Sequence, residues 1–398
     1  MQRRTFAIAG SGIGGLAIGA LLAREGHRVV VYDRMETPAP LGSGLILQPV
    51  GLAVLDEIGV GNRLRALGAP IQRLYGRTQP SGRVVLDVRY RALGAGPAEG
   101  LGIHRGALFE ALWQAAVAVG VEIHGGYEVA SAEAGVLNFA HGWRSARHDL
   151  VIDALGVRSP LSGARPPAPL PFGALWANLD WPGKPFDEAA LEQRYRAARQ
   201  MVGVLPIGRV RDDDKRQAAF FWSLRHVDMD SWRAAGLEAW KDQVRRLWPQ
   251  TAPLLDQITD RDQLIAASYA HRTLASPASR DVVHVGDSWH CASPQLGQGA
   301  NMALLDALAL ARALGAHQDL GLALEAYARA RLTHIRLYQL ASWIFTPAYQ
   351  SDGRLVAWVR DWLMSPLSRV WPMPRILAGL VAGSIASPLS AIAAIGDG

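Results

Sequence analysis

Residues 5–33 carry the pattern that most limits the fold. Thr5–Ala9 is a short apolar run, and Gly10-Ser11-Gly12-Ile13-Gly14-Gly15 follows without a spacer. Leu16–Arg24 has helical propensity, and Arg28–Tyr32 is apolar and β-branched. The order predicts strand, tight loop, helix, strand: a βαβ unit. In G-x-G-x-x-G the missing side chains at Gly10, Gly12 and Gly15 leave bare backbone, so a pyrophosphate can approach the helix N-terminus. Asp33 lies 23 residues after Gly10, at the end of the second strand, where a carboxylate accepts a bond from a ribose hydroxyl. This pattern does not separate NAD from FAD, and a glycine turn without ligand is its plain alternative.

The rest of the chain extends that unit. Helices are expected over 105–119, 299–314 and 321–340, and strands over 121–124, 149–153 and 281–285. Two stretches, about 70–98 and 160–280, alternate polar and apolar residues and contain several Trp and Phe, which predicts a second sheet inserted into the first domain. The resulting division is 1–70, 99–160 and 281–340 for the nucleotide domain, 71–98 and 161–280 for the substrate domain, and 341–398 for a tail. A length of 398 residues suits two such domains.

Composition narrows the partners. The formal charge is +6, from 41 Lys+Arg against 35 Asp+Glu, with no dense basic run, so nucleic acid is not expected. Cys291 is the single cysteine, which excludes an intrachain disulfide framework and a cysteine-rich metal site and favours a cytoplasmic location. Asp212-Asp213-Asp214 reads as a solvated turn, so no metal is assigned. The N-terminus runs directly into the glycine motif and reads as a first strand, not a signal peptide.

Two distant segments choose the cofactor. Gly286-Asp287-Ser288-Trp289-His290 and Pro294-Gln295-Leu296-Gly297-Gln298-Gly299-Ala300-Asn301 precede a helix carrying Asp306. With the glycine motif they resemble, over about residues 5–340, the FAD-dependent monooxygenases of the para-hydroxybenzoate hydroxylase type (group A). The resemblance implies a Rossmann-like FAD-binding domain with an inserted antiparallel-sheet substrate domain and a helical C-terminal region. It implies that Asp287 holds the ribityl chain and that the Pro294–Asn301 loop passes the flavin ring, its N–H groups favouring the reduced, anionic form. Asp33-Arg34 matches the pair that grips the adenosine ribose. Gly42–Pro49, with Gly44 and Gln48, matches the segment crossing the flavin, and Arg105 matches the arginine that reaches FAD.

The implied activity is hydroxylation of an aromatic or other apolar, electron-rich small molecule by O2 through a flavin C4a-hydroperoxide. Pro294 and His290 are the candidate catalytic residues; an imidazole there can move protons near neutral pH, a packed histidine being the alternative. Trp176, Phe221 and Trp222 are the candidate substrate contacts, against a core role for strand aromatics.

Asp153-Ala154-Leu155-Gly156 departs from the family's Gly-Ala-Asp-Gly. The lost carboxylate belongs to a segment the family ties to flavin and pyridine nucleotide alike, so NAD(P)H as direct reductant is in question. A flavin oxidase or dehydrogenase reduced by its substrate or a partner is the alternative, and simple packing of Leu155 is the bland one. After Gln339 come Trp343, Trp358, Trp362 and Trp371, interspersed with prolines, then an uncharged stretch 376–396 poor in Leu and Phe. This predicts a helical tail that packs on the domain or touches the inner face of a membrane peripherally.

Overall fold

The computed structural model describes residues 3–37, 39, 42–94, 98–279 and 281–395; Gly396, which closes the uncharged stretch of the tail, lies outside them. A five-stranded parallel sheet runs in the order 282–284, 150–153, 5–9, 28–32, 122–124. Its central strand, Thr5–Ala9, is buried on both faces, as parallel strands covered by helices are. The helix after it, Ile13–Arg24, begins inside the glycine motif because glycines there cost little packing volume. A Cβ on Gly15 would stand 2.0 Å from the Gly10 carbonyl oxygen, so only glycine lets helix and strand meet this closely. Helices Arg105–Ala118 and Gly299–Ala316 pack against it.

A seven-stranded sheet forms from 73–89 and 172–267, in the order 265–267, 172–180, 217–225, 200–208, 190–196, 73–78, 84–89. All neighbours are antiparallel except 190–196 with 73–78. Side chains alternate across it. Phe220 and Trp222 join Leu175, Val202 and Val204 beneath the helices Met229–Ala235 and Leu237–Leu247, with Trp240 and Val244. Phe221 and Met201 point to the other face. Trp222 is therefore corrected as a substrate contact: the two-residue period that places Phe221 on the nucleotide side sends its neighbour behind the sheet.

The helix expected to stop at Leu340 continues from Leu320 to Tyr349. One side of residues 341–349 packs inward: the hydroxyls of Ser342 and Thr346 lie 3.0 and 2.5 Å from that of Ser293. Pro347 lies inside this helix, two residues before its end, and gives up one i→i−4 hydrogen bond there. Shorter helices follow at 354–359, 373–382 and 388–393. Ala378, Val381 and Ala382 pack with Val88 and Tyr90, while Trp343, Trp358, Trp362 and Trp371 stay exposed. Among the described residues no helix is long and apolar enough to cross a membrane.

Candidate active site

The first glycine loop is held by Asp33. One carboxylate oxygen accepts from Ser11 N (2.8 Å) and Ser11 Oγ (2.7 Å), the other from Met35 N (3.0 Å), leaving lone pairs for a further donor. Nothing lies within 4 Å of where a Cβ on Gly12 would stand, while one on Gly14 would be 3.5 Å from Ala303 and 3.7 Å from Val285. The open approach at Gly12 is what a phosphate needs, and Gly14 brings the loop against the Gly286–Asn301 region. Arg34 is exposed beside it.

That second region is fastened by a fully buried carboxylate. Asp306 accepts from Gly286 N (2.8 Å) and His290 Nε2 (2.7 Å) on one oxygen and from Arg331 Nε (2.8 Å) on the other. Burial alone would raise the Asp306 carboxyl; His290 and Arg331, by charge and hydrogen bond, outweigh it and hold it below the usual range. As an ionised carboxylate only accepts, His290 Nε2 must carry the proton, a tautomer inferred from the network. His290, whose ring lines the cavity, thus has one nitrogen committed to holding the fold.

Asp287, next to Gly286, is exposed at the cavity wall, and its carboxylate has no hydrogen-bond partner among the described residues. The surrounding protein raises its carboxyl, with His290, Arg105 and Arg272 acting in the opposite sense. Arg105, at the start of its helix, lies with its guanidinium 3.7 Å from where a Cβ on Gly42 would be. Its Nε is buried without a partner. Buried polar groups of this kind are costly unless a ligand completes them.

These groups surround a cavity of about 710 Å3. Gly44 and Gln48 form one wall, and Pro294, Gly297, Gly299 and Ala300 the opposite one. The helix Gly299–Ala316 has no side-chain cap, so its first N–H groups are free at the wall. Gln48 Nε2, Gln295 Nε2 and Gln298 Oε1 are likewise buried without partners. A flavin ring edge, rich in acceptors and carrying one N–H, suits this donor set, and FAD fits the residues present. Asn301 differs from expectation: it is fully buried and spends its amide on Gln48 N (2.8 Å), Ile46 O (3.2 Å) and Gly297 O (3.0 Å). It clasps the two walls together and does not face the cavity. Gly286 acts through its backbone bond to Asp306 and is also outside the cavity wall.

Beyond the flavin end, the rings of Trp176 and Phe221 meet at 4.6 Å between centres, tilted by 34°. Trp176 Nε1 donates to Tyr269 Oη (2.9 Å), and burial pushes the Tyr269 hydroxyl up to about 12. Tyr269 and Gln350 had no sequence signal. Gln350 caps the helix that continues past its expected end, and both atoms of its buried amide lack partners at the cavity wall.

The altered turn is equally definite. Asp153 is fully buried and accepts from Leu155 N (3.0 Å) and Ser159 Oγ (2.6 Å), with His284 Nδ1 at 2.8 Å. Leu155 packs beside Val129, Phe139 and Val151. Asp153 therefore organises from within the strand a turn whose usual carboxylate stands two residues later.

Residues 3–337 match the FAD binding domain family. A putative 2-heptyl-3-hydroxy-4(1H)-quinolone synthase of Rhodococcus erythropolis is 30% identical over 336 residues, 80% of this chain and 81% of that one. The 6-hydroxynicotinate 3-monooxygenase of Pseudomonas fluorescens is 27% identical over 381 residues, 86% and 95%. Among solved structures, 2-methyl-3-hydroxypyridine-5-carboxylic acid oxygenase superposes with a TM-score of 0.76 at 20% identity, covering 94% of this chain and all of that one. The chain belongs to the FAD-dependent aromatic hydroxylase family. It is an oxidoreductase that uses FAD and O2 on a small molecule.

Proposed function

We propose that the substrate is a neutral, flat heteroaromatic compound carrying an apolar substituent, and that a ring carbon is hydroxylated. The supporting observation is the charge balance of the cavity beyond the flavin end. Asp87 is taken up by Arg73 (2.7 Å) and Arg89 (3.1 Å). Arg360 bonds Asp361 (2.7 Å), Ala348 O and Ala197 O. Thus neither is free to meet a charged substrate, while Leu74, Val85, Val88, Met364, Leu367 and Leu377 offer apolar wall. Relatives include both a quinolone and a hydroxynicotinate enzyme by name; the wall chemistry favours the first type.

FAD, when bound, supplies two electrons and activates O2, so that with two protons one oxygen atom replaces a ring C–H by C–OH and the other leaves as water. The protein's share is orientation and exclusion of water. Trp176 and Phe221 present faces on which a flat ring stacks, and Tyr269 fixes Trp176. Gln350 offers a paired donor and acceptor to a ring N–H and carbonyl. Perturbation of the flavin spectrum tests the reading. A 2-alkyl-4(1H)-quinolone is expected to bind about a hundredfold more tightly than 6-hydroxynicotinate, from the burial of its alkyl carbons, and to take up one labelled oxygen from dioxygen. Equal or reversed affinity would sink it.

We further propose that the tail touches an anionic bilayer surface. Trp371 is 82% exposed and Trp343 67%, and exposed Arg369 and Arg375 lie in the same segment, the composition of an interfacial anchor. Flotation with phosphatidylglycerol vesicles, but not with neutral ones, is expected, and is lost on W358S/W371S; no flotation overturns the proposal.

A further inference from the structure

Behind the seven-stranded sheet lies a second cavity, of about 700 Å3, that the flavin chemistry does not use. It sits between the turn 196–200, the strand end Trp222–Arg225, the helices over 229–247, and residues 351–354. The two cavities share elements but not side chains: Phe221 lines the front and Trp222 the rear, Gln350 the front and Ser351 the rear.

Its chemistry is one-sided. Four arginines, Arg196, Arg199, Arg225 and Arg354, line it against two carboxylates, Asp228 and Asp352. Both carboxylates are engaged: Arg225 binds Asp228 (2.7 Å) and Asp352 (3.1 Å), and Arg199 stands 3.8 and 3.5 Å from the same pair. Arg196 and Arg354 have no carboxylate partner among the described residues. The indole N–H groups of two lining residues, Trp232 and Trp240, are buried without an acceptor among the described residues, and Trp240 is only 1% exposed. A buried donor left open is rare in native proteins. Here two of them belong to residues lining a cavity with surplus positive charge. The remaining wall sets Trp222, Leu224 and the two other tryptophans beside the uncharged polar residues Gln200, Ser223, Ser231, Gln243 and Ser351.

We propose that this rear cavity binds a small organic anion, an oxyanion borne on an aromatic or similarly flat frame. The oxyanion meets Arg196, Arg354 and the two indole N–H groups, and the frame lies on the tryptophan faces. A carboxylate and a phosphate share this recognition, and the test separates them.

The flavin-loaded, full-length protein is titrated calorimetrically with 1-naphthoate, with 1-naphthyl phosphate, and with neutral 1-naphthylmethanol. One site per chain is expected for at least one anion, the tighter of the two naming the headgroup, with the visible flavin spectrum unmoved by that anion; any heat from the neutral compound is expected only together with a shift of that spectrum, which marks the front cavity. Arg196→Ala and Arg354→Ala, both at exposed positions, are each expected to weaken binding about tenfold. Trp240→Phe, which keeps the ring and removes the N–H, should do the same. Absence of saturable binding by either anion overturns the proposal. So does affinity unchanged in both arginine variants, or a shift of the flavin spectrum by the bound anion, which would place it in the front cavity. None of these outcomes depends on which substrate the flavin site takes.

Discussion

Asp306 and Asp153 anchor the two turns that border the nucleotide region, and they do it with different resources. Both are fully buried, both accept a backbone N–H, and both hold a histidine. Asp306 also faces the Arg331 guanidinium, itself fully buried, so its charge is met by a fixed opposite charge. Asp153 has an imidazole, a hydroxyl and an amide but no arginine. The first arrangement commits a buried cation that nothing else neutralises; the second distributes the task among donors that are individually replaceable. Their failure modes should therefore differ in size.

The largest effect is expected at Asp306. Asp306→Asn keeps the shape but strands Arg331 without a counterion, which costs about 3–5 kcal/mol when a buried pair is broken from one side. It also frees the Gly286 turn. Loss of flavin from purified protein and a fall in Tm of about 4–6 °C check this. Retention of both would mean that Arg331 finds another partner. Asp153→Gly, which restores the residue type of the family, leaves Leu155 N, Ser159 and His284 without their acceptor and should cost about 1–3 kcal/mol, read from chemical unfolding. A loss as large as that of Asp306→Asn would erase the contrast.

Acid separates the regions further. His334, packed on Arg331 and with Nε2 3.0 Å from Gly383 O, has its imidazole pushed down to about 3, by burial first and Arg331 second. Between pH 6.5 and 3 the unfolded chain binds a proton that the folded one refuses. Stability thus falls with falling pH across that window, by about 1.4 kcal/mol per unit at most. The depressed Asp306 carboxyl contributes stability above its unfolded value, lost only when pH drops through the folded one. The expected result is a pH slope in unfolding free energy beginning near 6.5, to which the imidazoles of His27, His104, His148 and His271, also lowered by burial, contribute, and which becomes shallower in His334→Leu. An unchanged slope would assign it to those other histidines.

Much of this was legible in the sequence where function is written into backbone geometry. The Gly10–Gly15 loop with Asp33 follows from spacing, because glycine and a carboxylate at fixed offsets have few uses, while Asp287 and the Pro294–Ala300 loop come from the family resemblance. The length of the helix ending at Tyr349 was not legible: its last turns are held by contacts distant in sequence, among them those of Ser342 and Thr346 with Ser293. The face of Trp222 was legible only as one of two alternatives, since alternation fixes opposition to Phe221 but not which side holds the flavin. Gln350 and the rear cavity depend on segments far apart in sequence, which no local pattern joins. Asn301 matched its motif in position and serves it by clasping the walls.

The smallest structural effect, and the sharpest question, belongs to Leu155. Its side chain is partly buried at the edge of an apolar cluster, and nothing lies within 4 Å of where a Cβ on the following Gly156 would stand. Leu155→Asp therefore meets solvent on one side and should change stability by no more than about 1 kcal/mol, the apolar area it gives up being part of one leucine. What it adds is the family's carboxylate beside one that already holds the turn, two acidic groups where the family has one. If Asp153 has taken over the whole task, flavin reduction by NADPH or NADH in stopped-flow absorbance should be as fast in Leu155→Asp as in the unaltered protein. If the carboxylate at 155 acts on the nucleotide itself, reduction should accelerate by tenfold or more, and further when Asp153→Gly is combined with it. No bleaching by either nucleotide in any of the three proteins would leave the substrate or a partner reductase as the source of electrons.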